Sequence, residues 1–219
     1  MNNYQNTIAK AITIIHKTLH RYDEALAAHG RAMQEIQGAI MLSDIAKEQR
    51  REKAAAALSE AAELAYKETA VELAKIQTAA LALEQQSPLD CPELAPAVAI
   101  ASSAGSKLDE ATTAALVKPL IGHKQALIAL RSVYAGQGIA SDEVNRYIFD
   151  AGDRCEKLIQ TADGLISAAR KGSLGGSYKL AKELEAFAEL MGVEIAEPFT
   201  SQYEGAYMTD QVRRAMGLR

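Results

Sequence analysis

The sequence predicts an all-α fold in which a long N-terminal coiled-coil-like helix or helical hairpin precedes a compact bundle of shorter helices. Three observations support this prediction. Hydrophobic residues make up 48% of the 219 residues, but only 5% are aromatic and none is Trp, so small and aliphatic side chains dominate. Apolar residues recur at helical spacing over long stretches, and a proline-rich segment separates two parts of the chain. Small apolar side chains favour closely packed helices over a thick sheet-based core.

Residues 4–41 contain a seam of ten side chains at alternating spacings of four and three, the heptad spacing of a coiled coil or a tight helical hairpin. We predict one helix here, continuing through Gly30 and Gly38 although each glycine weakens a helix by about 1 kcal/mol. His29 interrupts the apolar run, and we expect it to be partly exposed where the seam loosens beside Gly30. We expect this seam to be an interface, and it consists of Ile8, Ile12, Ile15, Leu19, Tyr22, Leu26, His29, Met33, Ile36 and Ile40.

A second apolar stripe follows after a polar stretch at 46–53. One continuous rod to about residue 86 would account for both stripes, and the absence of Gly or Pro between 43 and 53 slightly favours it. Alternatively, Ser43 caps a second helix that folds back on the first, which would give both stripes a partner. The second stripe consists of Leu58, Ala62, Ala65, Thr69, Leu73, Ile76, Ala80 and Leu83.

Three prolines at 88, 92 and 96 mark the strongest boundary, because proline cannot continue a helix. We therefore divide the chain into a helical region at 1–86, a connector at 87–96 and a helical C-terminal region at 97–219. In the last region the helices are predicted at 97–103, 107–117, 119–135 with Pro119 in the first turn, 141–170, 177–191 and 209–216, with a short extended piece at 192–199.

Composition argues against a nucleic-acid-binding protein, because a formal charge of -4 and a pI near 5.7 do not supply the clustered basic surface that phosphates require. Lys47, Arg50, Arg51 and Lys53 form one local basic cluster, but intervening glutamates indicate a solvated helix surface. Cys91 and Cys155 are far apart, and we expect two unpaired thiols. No secretory signal or membrane span is recognisable, so we expect a cytoplasmic protein or a component of an assembled particle.

The segment HKTLHRYDE at 16–24 raises the question of a metal site. His16 and His20 lie one helical turn apart and could chelate a metal, with Asp23 or Glu24 as a further ligand. The metalloprotease pattern, however, needs Glu directly after the first His, where this chain has Lys17. Both histidines flank the seam, so we predict the edge of an interface, no resident metal and no cofactor.

The remaining candidate motifs favour structural interpretations. GSLGGSYK at 172–179 is similar to a phosphate-binding loop, but its glycines are one residue too close and a helix precedes it, so we predict a turn between helices. Carboxylate pairs at 109–110 and 142–143 fit helix first turns, where the helix dipole favours negative charge. His123 has no sequence pattern that joins it to either cysteine as a catalytic pair.

The leading functional hypothesis is a non-enzymatic structural or assembly protein that acts through helix–helix association, with a second copy or another protein as its partner. A long Ala-rich helix joined by a proline connector to small helices resembles, in organisation rather than in any motif, small structural or scaffold-like proteins of tailed bacteriophages. This resemblance implies a virion or scaffold component. The alternatives are a membrane-active protein that uses the apolar segment 94–105, and a metal-binding protein or enzyme that uses His16 and His20.

Overall fold

Eight α-helices and no strand occur in the part of the chain that the computed structural model describes, residues 3–171, 176–202 and 204–205, without the side chains of 166–171. This architecture confirms the predicted all-α fold. The helices are α1 (Asn3–Gly38), α2 (Asp44–Glu84), α3 (Leu94–Ala104), α4 (Glu110–Val117), α5 (Lys124–Gln137), α6 (Asp142–Arg146), α7 (Ala151–Lys171) and α8 (Gly176–Leu190).

The first two helices form an antiparallel hairpin, so the continuous-rod interpretation is wrong. Two contacts fix the antiparallel pairing: the Thr18 hydroxyl donates to Glu68 at 2.8 Å, and His29 Nδ1 donates to the carbonyl oxygen of Ala54 at 3.2 Å. The Ser43 hydroxyl accepts from the backbone N–H of Ala46, as the hairpin hypothesis required of a helix cap. The rod interpretation looked for a helix breaker only after residue 43, whereas α1 already ends at Gly38.

The second apolar stripe is the inner face of α2. All eight of its predicted members, from Leu58 to Leu83, are less than 9% exposed, and Thr69 is fully buried among them. The polar stretch at 46–53 contains no buried residue. The helical period in the sequence therefore identified correctly which face of α2 is covered and where that cover begins.

The internal contacts of the chain define two compact units, each built from separate segments. Unit 1 comprises 1–10, 74–156 and 186–195, and unit 2 comprises 11–73, 157–185 and 196–219. The longest helices contribute residues to both units. The division at 87–96 predicted from the sequence is linear, whereas both units combine segments that are distant in the chain.

Unit 1 has its core around α5, against which α3 packs. Small residues of α3 make this close approach possible, because Ala97 and Ala101 are buried there. The α5 side of this core includes Leu127, Leu130 and Tyr134, all fully buried. The predicted membrane-active segment 94–105 thus supplies part of a protein core. No helix in the described ranges is long and apolar enough to cross a membrane.

Two glycine turns of unit 1 touch each other. Gly122 and Gly192 have positive φ values of 90° and 63°, and a Cβ atom on Gly192 would lie 2.6 Å from the backbone oxygen of Ile121. The side-chain amide of Gln5 donates to the carbonyl oxygens of Met191 and Gly192 at 3.2 and 3.3 Å. The N-terminal turn of α1 is therefore held against the loop that follows α8.

The C-terminal helices follow the sequence in outline, with three corrections. The helix predicted at 141–170 is two helices, because the chain leaves helical geometry at 147–150 and Asp150 accepts from the backbone N–H of Asp153 at 3.0 Å as a new cap. Pro119 lies in a 3-10 turn before α5 rather than inside it. The segment 192–199 forms no strand. The helix predicted at 209–216 and the loop residues 172–175 lie outside the described residues.

Replacing Gly192 with Ala should destabilise unit 1 by about 2 kcal/mol or more, because a left-handed backbone disfavours L side chains and the new Cβ would meet a backbone oxygen. The matched control is Gly30→Ala. Gly30 lies inside α1 and a Cβ there would meet nothing within 4 Å, so the same change should stabilise the helix by about 0.5 to 1 kcal/mol. Urea unfolding followed by circular dichroism measures both. If both substitutions changed the unfolding free energy equally, the contact between the two glycine turns would not explain the need for Gly192.

Candidate interaction surface

Most of the predicted seam lies in the protein interior. Its residues from Ile8 to Leu26 form the inner face of α1. His29, the one histidine of the seam, is half-buried as expected. Ile40 lies beyond the end of α1, in the turn before α2, and is 92% exposed. The buried members are Ile8, Ile12, Ile15, Leu19, Tyr22, Leu26 and Ile36, and His29 and Met33 are half-buried.

The end of the hairpin has almost no core. Between Leu26 on α1 and Leu58 on α2, Ile36 is the only buried residue. We call residues 27–57 the distal hairpin. A helix needs a covered apolar face to be stable in water, and two helices that bury a single large side chain between them provide little of it. Among the described residues of unit 2, the distal hairpin therefore has little buried apolar surface.

An apolar groove of about 450 Å³ runs between the two helices here. Its apolar lining comes from both walls: Ala25, Ala28, Ala32 and Ile36 from α1, and Ala54, Ala57 and Leu58 from α2. Alanine side chains are too short to meet across the space between the two backbones. The groove is thus a consequence of small residues at the positions that face inward.

Charged residues of opposite sign stand on opposite walls of the groove. Glu35 lines the α1 wall, whereas Arg50 and Lys53 line the α2 wall. Arg51 does not line the groove and pairs with Glu48 at 3.1 Å. The predicted basic cluster is therefore divided by the structure, with two of its members beside the apolar groove.

The turn at the end of the distal hairpin exposes large apolar side chains. Ile40 is 92%, Met41 is 97% and Ile45 is 74% exposed. We call these three residues the apolar tip. Single exposed apolar residues are ordinary, but a cluster that adjoins an apolar groove is typical of a surface that contacts another molecule.

The histidines of HKTLHRYDE face an aromatic side chain. Among the described residues, no group of His, Cys, Asp and Glu is arranged to hold a metal ion. The ring centroids of His16 and His20 lie 5.3 Å and 4.4 Å from that of Phe199, and the His20 ring is stacked on it. Asp23 accepts hydrogen bonds from the hydroxyls of Ser177 and Ser201. These contacts join α1 to the start of α8 and to the segment after it.

Burial shifts the pKa values of His16 and Asp23 in this cluster. Desolvation lowers the pKa of His16, and the charge of Glu185 and a hydrogen bond with the Glu197 backbone partly offset it. Desolvation likewise raises the pKa of Asp23, against the two serine hydrogen bonds. The Nε2 atom of His16 is buried and makes no hydrogen bond in the structure. A histidine held neutral under an aromatic ring is a packing residue here.

The two cysteines are free thiols, as predicted, and both are buried. Desolvation raises the pKa of Cys155 to about 11, so its reactive thiolate is disfavoured. Burial first, and then the nearby Glu93, raise the pKa of Cys91. Neither thiol has the low pKa and exposure of a catalytic nucleophile.

Sequence analysis missed the groove, although its signal was present. Alanines stand at 28, 32, 54 and 57 near the turn, the seam has a histidine at 29, and the second stripe begins only at Leu58. The partners of Asp23 and of the histidines had no such signal, because Ser177 and Phe199 lie more than 150 residues away in sequence. No protein-family model matches the chain, and no curated protein or solved structure is significantly similar to it.

Acidification should weaken unit 2 through His16. Because its pKa is lower in the folded chain than the ordinary value of 6.5, the unfolded chain binds a proton that the folded chain does not, and stability falls as pH drops from 6.5 toward the lowered pKa. Between pH 7.5 and 5.5, the unfolding free energy should decline more steeply in the unaltered chain than in His16→Leu. The difference between the two slopes should not exceed the slope that uptake of one proton produces. His123, whose pKa is also lowered, is present in both proteins and cancels. Parallel pH profiles would show that His16 does not contribute.

Proposed function

We propose that this chain is a non-enzymatic structural or assembly protein that acts through helix–helix association at the groove of the distal hairpin. The observation that carries the proposal is an apolar groove of about 450 Å³ in a hairpin end where Ile36 alone is buried. A helical partner that filled the groove would remove apolar surface from water, at about 25 cal/mol per Å². It would also cover a part of the hairpin in which the described residues bury only one side chain.

The surface differs from the interface expected at first. Seam residues such as Ile12, Ile15 and Leu19 are fully buried within the chain, so they stabilise the fold and are not available to a partner. Two seam members, His29 and Ile36, line the groove, and the exposed Ile40 lies at the apolar tip. The association surface is therefore the distal continuation of the seam rather than its whole length.

Helix geometry makes the groove suitable for another helix. Recognition of a helix in a groove depends on an apolar cleft that receives side chains at helical spacing, with charges at the rim that set orientation. Alanine-lined walls allow close approach, and Glu35, Arg50 and Lys53 provide rim charges of both signs. A virion or scaffold role, in a cytoplasmic or particle setting, is the more specific form of this proposal.

The alternatives have less support in the described part of the fold. Membrane activity through 94–105 would require α3 to leave α5, although Ala101 is fully buried there. For metal binding through His16 and His20, the described residues offer no group of His, Cys, Asp and Glu that is arranged to hold the ion. The groove, in contrast, is accessible in the folded chain.

Photo-crosslinking in the cells that naturally produce the protein tests the proposal. A photoreactive phenylalanine in place of Ala57, which lines the groove, should give a discrete adduct with one protein, identified by mass spectrometry. The same residue in place of the exposed neighbour Ala56, which does not line the groove, should give little or none. An added Ala54→Asp substitution should reduce the adduct at least tenfold, because it would bury a charge.

Adducts of equal yield from the two positions, or no adduct from either, would contradict the proposal. The identity of the crosslinked protein would then define the assembly in which the chain takes part.

A further inference from the structure

We propose that the occupant of the groove is the same groove face of a second copy of this chain, placed by a two-fold axis that runs along the hairpin. This inference deepens the proposed function and rests on it. The resulting arrangement is a four-helix bundle in which α1 of each copy lies over α2 of the other, with both apolar tips at the same end.

The register of the hairpin places the charged residues of the two walls at one level. In the antiparallel pairing, Thr18 lies opposite Glu68 and His29 opposite Ala54. Because both helices rise by about 1.5 Å per residue, each step forward along α1 matches one step back along α2. Continuing the register to Glu35 reaches residues 48–51 of α2, so Glu35 lies level with Arg50, with Lys53 one turn away.

A two-fold axis parallel to the groove converts this arrangement into complementary contacts between copies. The rotation exchanges the two walls but keeps each residue at its level, because the axis is parallel to the helices. Glu35 of each copy then faces Arg50 and Lys53 of the other, and the attraction occurs twice. The apolar groove residues, including Ala32 and Ala57, then face the groove of the other copy.

The alternative two-fold axis, perpendicular to the helices, fits less well. It would place α1 over α1 and α2 over α2 with reversed direction, so that walls of like charge would meet. It would also place the two apolar tips at opposite ends of the bundle. In the parallel arrangement Ile40, Met41 and Ile45 of one copy adjoin those of the other, and six exposed apolar side chains can leave water together.

Reciprocal charge reversal of the purified full-length chain tests the inference, with mass measured by light scattering behind size exclusion over a range of concentrations. The unaltered chain should reach twice its 23.5 kDa mass and no more, because a two-fold contact closes on itself. Glu35→Arg alone, and Arg50→Glu with Lys53→Glu, should each raise the dimer dissociation constant about 100-fold or more, since like charges then meet twice. All three side chains are exposed, so circular dichroism should report unchanged helix content.

The decisive measurement is to mix the Glu35→Arg protein with the protein that carries both Arg50→Glu and Lys53→Glu. The heterodimer would restore opposite charges at both contacts, so the mixture should form a dimer although neither protein does so alone. The matched control is Glu63→Arg, an exposed change on α2 outside the groove, which should leave the mass unchanged.

A mass of 23.5 kDa at every concentration, or a dimer that the reversals do not affect, would overturn the inference. If the chain stays monomeric while position 57 crosslinks to a different protein, the inference fails and the proposed function stands. If the chain stays monomeric and position 57 gives no adduct, both fail.

Discussion

The antiparallel pairing of α1 with α2 is the interaction on which the rest of unit 2 depends. Each helix carries a long apolar stripe whose exposure to water would be unfavourable. The pairing gives each stripe a partner from the same chain. The turn that permits it needs only a helix end at Gly38 and the Ser43 cap. The stripe that resembles a coiled-coil seam is consequently used inside the fold, from Ile12 to Leu26.

The same pairing explains why one part of the hairpin has a single buried residue. A helical hairpin has two broad faces, each formed by both helices. A third or fourth helix is needed to bury one of these faces. In unit 2, α8 meets α1 at Asp23 through Ser177, and α7 meets α2 where Tyr66 hydrogen-bonds Asp163. Between Leu26 and Leu58, Ile36 is the one buried residue. Alanines on the facing walls then leave a groove rather than a packed core.

Apolar periodicity predicted the buried faces of the helices, which depend on local pattern. It did not predict contacts made by residues that are distant in the sequence. The stripe from Leu58 to Leu83 was identified residue by residue, because burial on a helix follows its period. The break at 147–150 was missed, since no Pro or Gly marks it and Asp150 acts as a cap only once the chain has turned. The surroundings of His16 were beyond sequence reasoning, because Phe199 comes from a segment without periodic pattern.

The predicted seam and the proposed groove share α1, but most of the seam is buried within the chain. Heptad spacing does not distinguish a stripe covered by the same chain from one covered by a partner, because both require the same apolar side chains. The distinction lies in side-chain size. Isoleucine and leucine fill the interior from Ile12 to Leu26, whereas alanine at 28, 32, 54 and 57 cannot fill the space between two helices.

The scarce cover of the distal hairpin also determines how association and folding would be coupled. Segments with few buried contacts open at low free energy, and Gly30 weakens this part of α1 further. In the proposed assembly, binding would therefore have to offset the cost of holding the hairpin ordered. The hydrogen bond from His29 to the Ala54 carbonyl lowers that cost, because it joins the two walls before any partner arrives. A half-buried polar residue in an otherwise apolar seam thus links the two walls by a hydrogen bond, which an aliphatic side chain at position 29 could not make.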